Sequence, residues 1–273
     1  MGQLSRGKGL TGVQKKLSGD IVNSAPEEFT NIQSRMVLTD ALSGYTIKPQ
    51  TEEYPHLPEN ESLSLQLAEA VGLDIVPHTL LRTVQGELVY ITRRIDRGAN
   101  GATVQQEDMA QITERLTEEK YKGSYEQVGK AVKKYSDDWR LDLLSYYRSV
   151  LFCFCIGNVD AHLKNWSLHR PSKRWRLMPL YDLVSTRLVI PKSKDPDELC
   201  LRLAGRTHGF TLKNFQAFAK TIGLPETQAD AQIKAILKSE DVMQQRISRS
   251  FLPEKMKEEF SELLSERCRR LEL

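Results

Sequence analysis

No stretch of this 273-residue sequence stays apolar for the roughly 18 residues that a membrane-spanning helix needs, so a membrane protein is not expected. The chain also opens without an apolar signal core. In Met1-Gly2-Gln3-Leu4-Ser5-Arg6, Arg6 stands where a myristoylation signal needs Ser or Thr, so neither export nor lipid anchoring is expected. Charge of one sign is missing too: 39 Lys and Arg against 36 Asp and Glu leave a net charge of +3, too balanced to argue for nucleic acid. Cysteine is scarce. Cys153 and Cys155 share the apolar run 150–156, and Cys200 and Cys268 stand alone. With no Cys-x-x-Cys or His pair nearby, a zinc site is not expected, and buried reduced thiols of a cytosolic protein are. Internal repeats and low-complexity segments are absent. What is present, 40% hydrophobic and 27% charged residues, is ordinary globular composition. The length predicts two lobes or domains sharing a cleft.

The stretch with chemistry in it is Gly157-Asn158-Val159-Asp160-Ala161-His162-Leu163-Lys164-Asn165, followed later by Tyr181-Asp182. Asp160 and Asn165 have the D-x-x-x-x-N spacing that a kinase catalytic loop uses to put a proton-accepting carboxylate and a metal-binding amide on one loop. Asp182 supplies a second carboxylate from another segment, so that the three could hold Mg²⁺ on a nucleotide and steer a hydroxyl to its terminal phosphate. Asp and Asn are also common loop residues, and the spacing alone equally describes a surface loop. Near the start, Gly7-Lys8-Gly9-Leu10-Thr11-Gly12 is a G-x-G-x-x-G whose backbone N–H groups could close on phosphate oxygens. The strand that a dinucleotide-binding fold needs before it is not there, and a flexible tail is the other reading.

Between these landmarks the pattern predicts strands over 35–40 and 44–48 joined by a turn, the second closed by Lys48 and broken by Pro49. A helix follows from an acidic start at Glu59-Asn60-Glu61, with Leu63, Leu67, Ala70 and Val71 on one face and Gly72 as its stop. The alternation of Leu63, Leu65 and Leu67 also permits a strand. Segments 78–83 and 87–95 read as a hairpin turned at Gly86, completing a sheet of about five strands with one helix. The polar passage from Arg93 through Gly101 is the expected lobe boundary, giving an N-lobe of 1–95 and a C-lobe of 96–273. From Gln106 the chain reads as mostly helical. A segment over 141–154, apolar nearly all round, should be buried and lead into Asp160. Short strands over 166–168 and 175–177 flank a turn, and helices are expected over 211–222, from Pro225 and from Pro253.

Several of these stretches together resemble the HipA family of bacterial toxin kinases. They are Gly12-Val13-Gln14-x-Lys16-Leu17, Tyr45-x-Ile47-Lys48-Pro49, Glu59-Asn60-Glu61, Arg94-Ile95-Asp96-Arg97, Gln106-Glu107-Asp108, Asn158-x-Asp160-Ala161-His162-x-Lys164-Asn165 and Pro179-Leu180-Tyr181-Asp182, in that order over residues 9 to about 215. Because the chain starts at the glycine loop, it is most similar to the short HipT form, whose missing piece is a separate small protein, HipS. The resemblance implies an α+β fold of two kinase-like lobes, a small β-rich N-lobe and a mostly helical C-lobe, with ATP and Mg²⁺ as cofactors. It implies that Gly9, Thr11, Gly12, Val13 and Gln14 form the phosphate loop, that Lys48 binds phosphate oxygens, and that Arg93 to Ile95 form the adenine hinge. Gln106 would lie near the ribose, with Tyr181 also beside the nucleotide. Asp160 would be the base, and Asn165 with Asp182 the Mg²⁺ ligands. His162 would contact phosphate or substrate, or else be a structural histidine. Glu61 would orient Lys48, though Glu59 is equally available.

Relatives commonly carry serine at one or both of the positions of Gly9 and Thr11, where phosphorylation pulls the loop from the nucleotide. Thr11 is therefore the candidate autophosphorylation site, with Ser5 or Ser18 as alternatives. The implied activity is that of a bacterial cytoplasmic Ser/Thr kinase toxin acting on a translation component such as an aminoacyl-tRNA synthetase. HipS-like and HipB-like antitoxins would be its partners, and DNA would be met only through the latter. A silent kinase-like module acting through those partners, and a small-molecule or lipid kinase, are the alternatives.

Overall fold

The computed structural model describes residues 15–23, 34–39, 43–98 and 102–272; the glycine loop with Gly9, Thr11, Gly12, Val13 and Gln14 lies outside them, as does Ser5. A five-stranded antiparallel sheet is built from β1 (Leu17–Asn23), β2 (Ser34–Leu38), β3 (Tyr45–Lys48), β4 (His78–Arg82) and β5 (Leu88–Arg93), in the order β2-β1-β3-β5-β4. Residues 40–42 of the expected turn between the second and third strands lie outside the described residues, and the two strands do not pair with each other. Each pairs with β1, Gly19 opposite Leu38 on one side and Leu17 opposite Ile47 on the other. The hairpin β4–β5 forms as expected, with Gly86 at φ 88 in its turn and Thr83 N–H donating to Glu87 O at 2.8 Å.

Helix α1 (Leu57–Ala70) starts with Pro58 in its first turn and ends on a Schellman motif. Gly72 N–H donates to Glu69 O and Leu73 N–H to Ala68 O, with Gly72 at φ 73 as the left-handed turn requires. The helix does not bury one face, as its pattern predicts, but nearly its whole girth: Leu57 to Leu65, Leu67 and Ala68 are all buried. It lies between the sheet and the helical part, and the side chain of Arg148 donates to the Val71 and Gly72 carbonyls at its C-terminus.

Beyond residue 102 the chain is not helical at once. β6 (Gln106–Asp108), β7 (Ser167–His169) and β8 (Arg176–Leu177) form a three-stranded sheet. Between β6 and β7 come α2 (Met109–Ile112), α3 (Tyr125–Tyr135) and α4 (Trp139–Cys155). α5 (Leu212–Ile222), α6 (Glu226–Lys238), α7 (Glu240–Ser248) and α8 (Glu254–Arg269) follow. Helix α4 is the central pillar, with Val150 to Ile156 each at most 1% exposed. Its core continues into Phe210, Phe215, Phe218 and Phe260, and on the other side into Leu63, Leu65 and Leu67 of α1. All four cysteines are free and buried. Among the described residues no helix is long and apolar enough to cross a membrane.

Candidate active site

The end of α4 aims the loop. Gly157 at φ 67 lets Asn158 N–H return to Cys153 O and Gly157 N–H to Phe154 O, a Schellman stop that turns the chain sharply out of the core. There is no room for anything but glycine: a Cβ at Gly157 would stand 2.8 Å from both Arg187 Cβ and Leu263 Cδ2. The loop is then fixed by its own polar groups. Asp160 N–H donates to Asn158 Oδ1 (2.9 Å), Val159 N–H to Thr186 Oγ1 (2.7 Å), and His162 N–H to Asn165 Oδ1 (3.0 Å). The carbonyl of Ala161 accepts from the Tyr125 hydroxyl at 3.2 Å.

Lys48, at the end of β3 and 2% exposed, points into the same space. Its ammonium donates to Glu61 Oε1 and to Asp182 Oδ1, both at 2.5 Å, while Lys16 reaches Asp182 Oδ2 at 3.0 Å. The ambiguity between Glu59 and Glu61 is thereby resolved for the lysine contact. Glu59 accepts instead from Gln50 Nε2 at 2.7 Å and lies 3.3 Å from His56 Nδ1. Burial alone would lower the Lys48 pKa, but the Asp182 and Glu61 carboxylates overcome it and hold the group well above the lysine range. Asp182 behaves in the opposite sense: burial favours its neutral form, yet Lys48 and Lys16 keep it far below ordinary carboxylates. Glu61 is left the weaker partner. Burial, with Asp182 close by, pushes it up to about 7 against the pull of Lys48, and its Oε2 is buried with no hydrogen-bond partner among the described residues.

Helix α1 also anchors the segment that follows Asp182. Asn60, fully buried, donates through Nδ2 to Ser185 O (3.0 Å) and accepts Ser185 N–H on Oδ1 (2.9 Å), with Ser64 Oγ also on that oxygen. One helix turn thus carries both the carboxylate that grips Lys48 and the amide that grips the chain three residues past Asp182. A backbone bridge adds to this: Val76 N–H donates to Leu180 O at 3.0 Å and Leu180 N–H to Asp74 O at 2.8 Å. Asp182 itself sits at φ 55, a left-handed conformation that Asp tolerates better than most residues.

The other sequence candidates have partners of their own. Asp160 accepts the Tyr121 hydroxyl on Oδ1 at 3.1 Å. His162 is 2% exposed, its ring edge-on to Tyr121 at 5.1 Å between centroids; burial and the nearby Lys120 charge lower its pKa to about 4, so it is neutral at physiological pH. Tyr181 is tied to the loop by its hydroxyl, which donates to Lys164 O at 2.8 Å and lies 2.7 Å from Ser167 Oγ; Gln106 Nε2 reaches the same Ser167 at 3.4 Å. Lys164 pairs with Asp108 at 2.7 Å. At the end of β5, Arg93 N–H donates to Pro77 O at 2.9 Å, and Ile95, between the ion-paired Arg94 and Asp96, packs against the core. Tyr121, Lys120, Ser185 and the clamping role of Asn60 had no signal in the sequence beyond the presence of Asn60 between two glutamates.

Among the described residues no three His, Cys, Asp or Glu side chains form a metal cage. The sequence candidates for a cation are hard oxygens, the Asp182 carboxylate and the Asn165 amide, whose Oδ1 also accepts His162 N–H. Asp182 already holds an ammonium on each oxygen, which marks it as a cation-binding carboxylate. Such a sparse oxygen set suits an ion like Mg²⁺ that keeps its waters and takes phosphate oxygens as further ligands.

Comparison with known proteins bears on this geometry. The sequence profile of the HipA-like C-terminal domain matches residues 9–243. A Haemophilus influenzae protein named "Putative kinase" is 26% identical over 92% of this chain and 78% of its own length. "Putative kinase Y4dM" of Sinorhizobium fredii is 32% identical over 71% of this chain, which spans about half (48%) of that protein. Among solved structures, a chain of the Shewanella oneidensis toxin–antitoxin complex of HipA, HipB and operator DNA superposes with a TM-score of 0.75 at 18% identity, covering 99% of this chain and 67% of that one. The Helicobacter pylori proinflammatory kinase CtkA superposes with a TM-score of 0.57 at 15% identity, covering 91% and 93%. At these identities the likeness is one of fold: a small β-rich lobe and a mostly helical lobe, arranged as in kinases.

Proposed function

The chain belongs to the HipA-like C-terminal domain family, and from that premise we propose that it transfers the terminal phosphoryl group of ATP to a serine or threonine hydroxyl of a protein. The observation that carries this reading is the position of Lys48, at the end of a strand, gripped by a helix glutamate and beside a loop aspartate. That is the constellation that holds nucleotide phosphates in kinases. Lys48 would leave Asp182 for phosphate oxygens while Glu61 keeps it oriented. Asp160, whose Oδ1 accepts the Tyr121 hydroxyl, would take the proton of the acceptor hydroxyl as the general base. Arg93 to Ile95 would border the adenine, and Gln106 and Tyr181 the sugar side. Asn165 and Asp182 are the residues that would hold Mg²⁺, which when bound would neutralise phosphate charge. His162, kept neutral, suits an orienting contact better than a charge-bearing one. The lobe division falls in this reading after residue 95.

The finer reading follows the HipT-like resemblance: a bacterial cytoplasmic toxin with HipS-like and HipB-like antitoxin partners, a translation component such as an aminoacyl-tRNA synthetase as target, and Thr11 as the site of self-phosphorylation. The presence of HipB and operator DNA in the Shewanella complex supports partners of that kind. Incubation of the purified protein and its Asp160→Ala form with γ-labelled ATP and bacterial lysate tests the activity. Label on protein Ser or Thr with the parent alone is expected; no transfer, or equal transfer by Asp160→Ala, would sink it. Label on a small molecule would point to a metabolite or lipid kinase. The silent-module reading has one observation on its side, since both Asp182 oxygens are occupied by lysines. Growth inhibition that survives Asp160→Ala would favour it.

A further inference from the structure

The segment before α3 enters the site without being part of any sequence pattern. After the 3-10 turn Thr117–Glu119, the carbonyl of Lys120 accepts Leu163 N–H at 3.1 Å, so this segment is bonded to the catalytic loop three residues past Asp160. The next side chain, Tyr121, donates its hydroxyl to Asp160 Oδ1 and covers the edge of His162. The Lys120 ammonium stands 4.9 Å from the Tyr121 ring centroid, half-buried.

The charges around it decide what it is for. Lys48 is committed to two carboxylates, Lys16 to Asp182, Lys164 to Asp108 and Lys122 to Glu119. Among the described residues Lys120 makes no such pair, although Asp160 and, to a smaller degree, Asp182 act on it through space. Partial burial lowers its pKa despite Asp160, the mark of an ammonium that has lost water without gaining an ion pair. A cation in that condition gains most from an anion that arrives between it and the neighbouring carboxylates.

The geometry points to Lys120 as a further catalytic residue whose ammonium contacts the phosphoryl group in transit to the hydroxyl held at Asp160, and to Tyr121 as the positioning residue that fixes the Asp160 carboxylate. The inference rests on the phosphoryl-transfer reading above. In the step, the acceptor oxygen bonds to phosphorus, and the bond from phosphorus to the β–γ bridging oxygen breaks with its electron pair leaving on ADP. The acceptor's proton passes to Asp160. Lys120 exchanges no proton; it stabilises the charge on the peripheral oxygens, where a preorganised cation in a partly desolvated site acts most strongly.

Lys120→Met, Lys120→Arg and Tyr121→Phe test this, using MgATP with phosphate release and self-labelling as readouts and titration calorimetry for MgATP binding. Lys120→Met should lose about 100-fold in kcat, as for loss of one preorganised charge-stabilising contact, with MgATP affinity held within about threefold. Lys120→Arg should recover a large part of that loss, because the charge is restored. Tyr121→Phe should lower kcat by about tenfold with KM unchanged, since it loosens the base and not the nucleotide. Lys120→Met with kcat within about threefold of the parent would overturn the proposal. So would equal loss of MgATP binding in Met and Arg forms, which would mark Lys120 as structural. If the parent neither releases nor transfers phosphate, the phosphoryl-transfer reading fails and this one with it; an active parent with an indifferent Lys120 separates the two.

Discussion

Lys48 has two carboxylates to satisfy and one charge to do it with, and the strain of that sharing falls on Glu61. Its folded-state pKa of about 7 exceeds its ordinary 4.5. The sign follows: its contribution to stability is fully present below about 4.5 and is lost as pH rises through about 7. Glu61→Gln should therefore flatten the change of Tm with pH in that window, read by thermal denaturation. Two substitutions should move the Glu61 titration in opposite directions. Lys48→Met removes the charge that lowers it and should raise it further, whereas Asp182→Asn removes a repelling neighbour, frees Lys48 for Glu61 and should lower it. Carboxyl NMR titration distinguishes the two, and shifts of the same sign would refute the shared-charge account. Asp160, Asn165, Asp182 and Lys48 were legible in the sequence because spacing and neighbours mark them. The choice between Glu59 and Glu61 was not, since residues two apart on a helix point about 200° apart and only the phase of α1 tells which faces Lys48. Lys120 and Tyr121 escaped because Glu-Lys-Tyr-Lys looks like any solvated stretch until the fold brings it to the loop.

At the scale of elements, α1 and the end of α4 position the chemistry. Asn60→Ala would leave the buried Ser185 N–H and carbonyl without their amide partner, at a cost of about 1–3 kcal/mol. It should also lower phosphate transfer with a smaller effect on MgATP affinity, as the Asp182 segment loses its anchor; denaturant titration and kinetics check both. Gly157→Ala forces a side chain into a left-handed residue and against Arg187 and Leu263. A loss of order 2 kcal/mol or more is expected, measured by urea unfolding. The glycine stops of α1, α4 and α5 were visible in sequence or lie where a left-handed turn is required. β1 was not. Leu-Ser-Gly-Asp-Ile-Val-Asn has weak strand propensity, and it is a strand because β2 and β3 pair with it on either side. Missing it is also why β2 and β3 looked like neighbours.

For the molecule as a whole, an ion cluster ties the last helix to the loop before α5. Glu198, 4% exposed, accepts from both Nη atoms of Arg270 at 2.8 Å and from Phe210 N–H at 3.1 Å, with Arg267 Nη1 at 3.1 Å. Burial pushes its pKa up, but the Arg270 bonds and the Arg267 charge win and bring it to about 2. This contribution is present above its ordinary 4.5 and is lost as pH falls toward about 2, a window that does not overlap that of Glu61. A shift of this size is of order 3 kcal/mol. Glu198→Gln should be less stable at neutral pH and lose less on acidification, followed by circular dichroism from pH 6 to 2; an unchanged acid limb would dismiss the cluster as the source.

The lysines on Asp182 give the cleft the character of an ion exchanger. Lys16 and Lys48 are counter-ions stored on a resin, and a nucleotide that takes them need only trade partners with the carboxylate they leave. With positive and negative groups already balanced against each other, the long-range field reaching out to a distant polyphosphate is small. Loading should then depend only weakly on ionic strength, in contrast to a cleft of bare cations, and titration of MgATP at rising salt would show which kind this is.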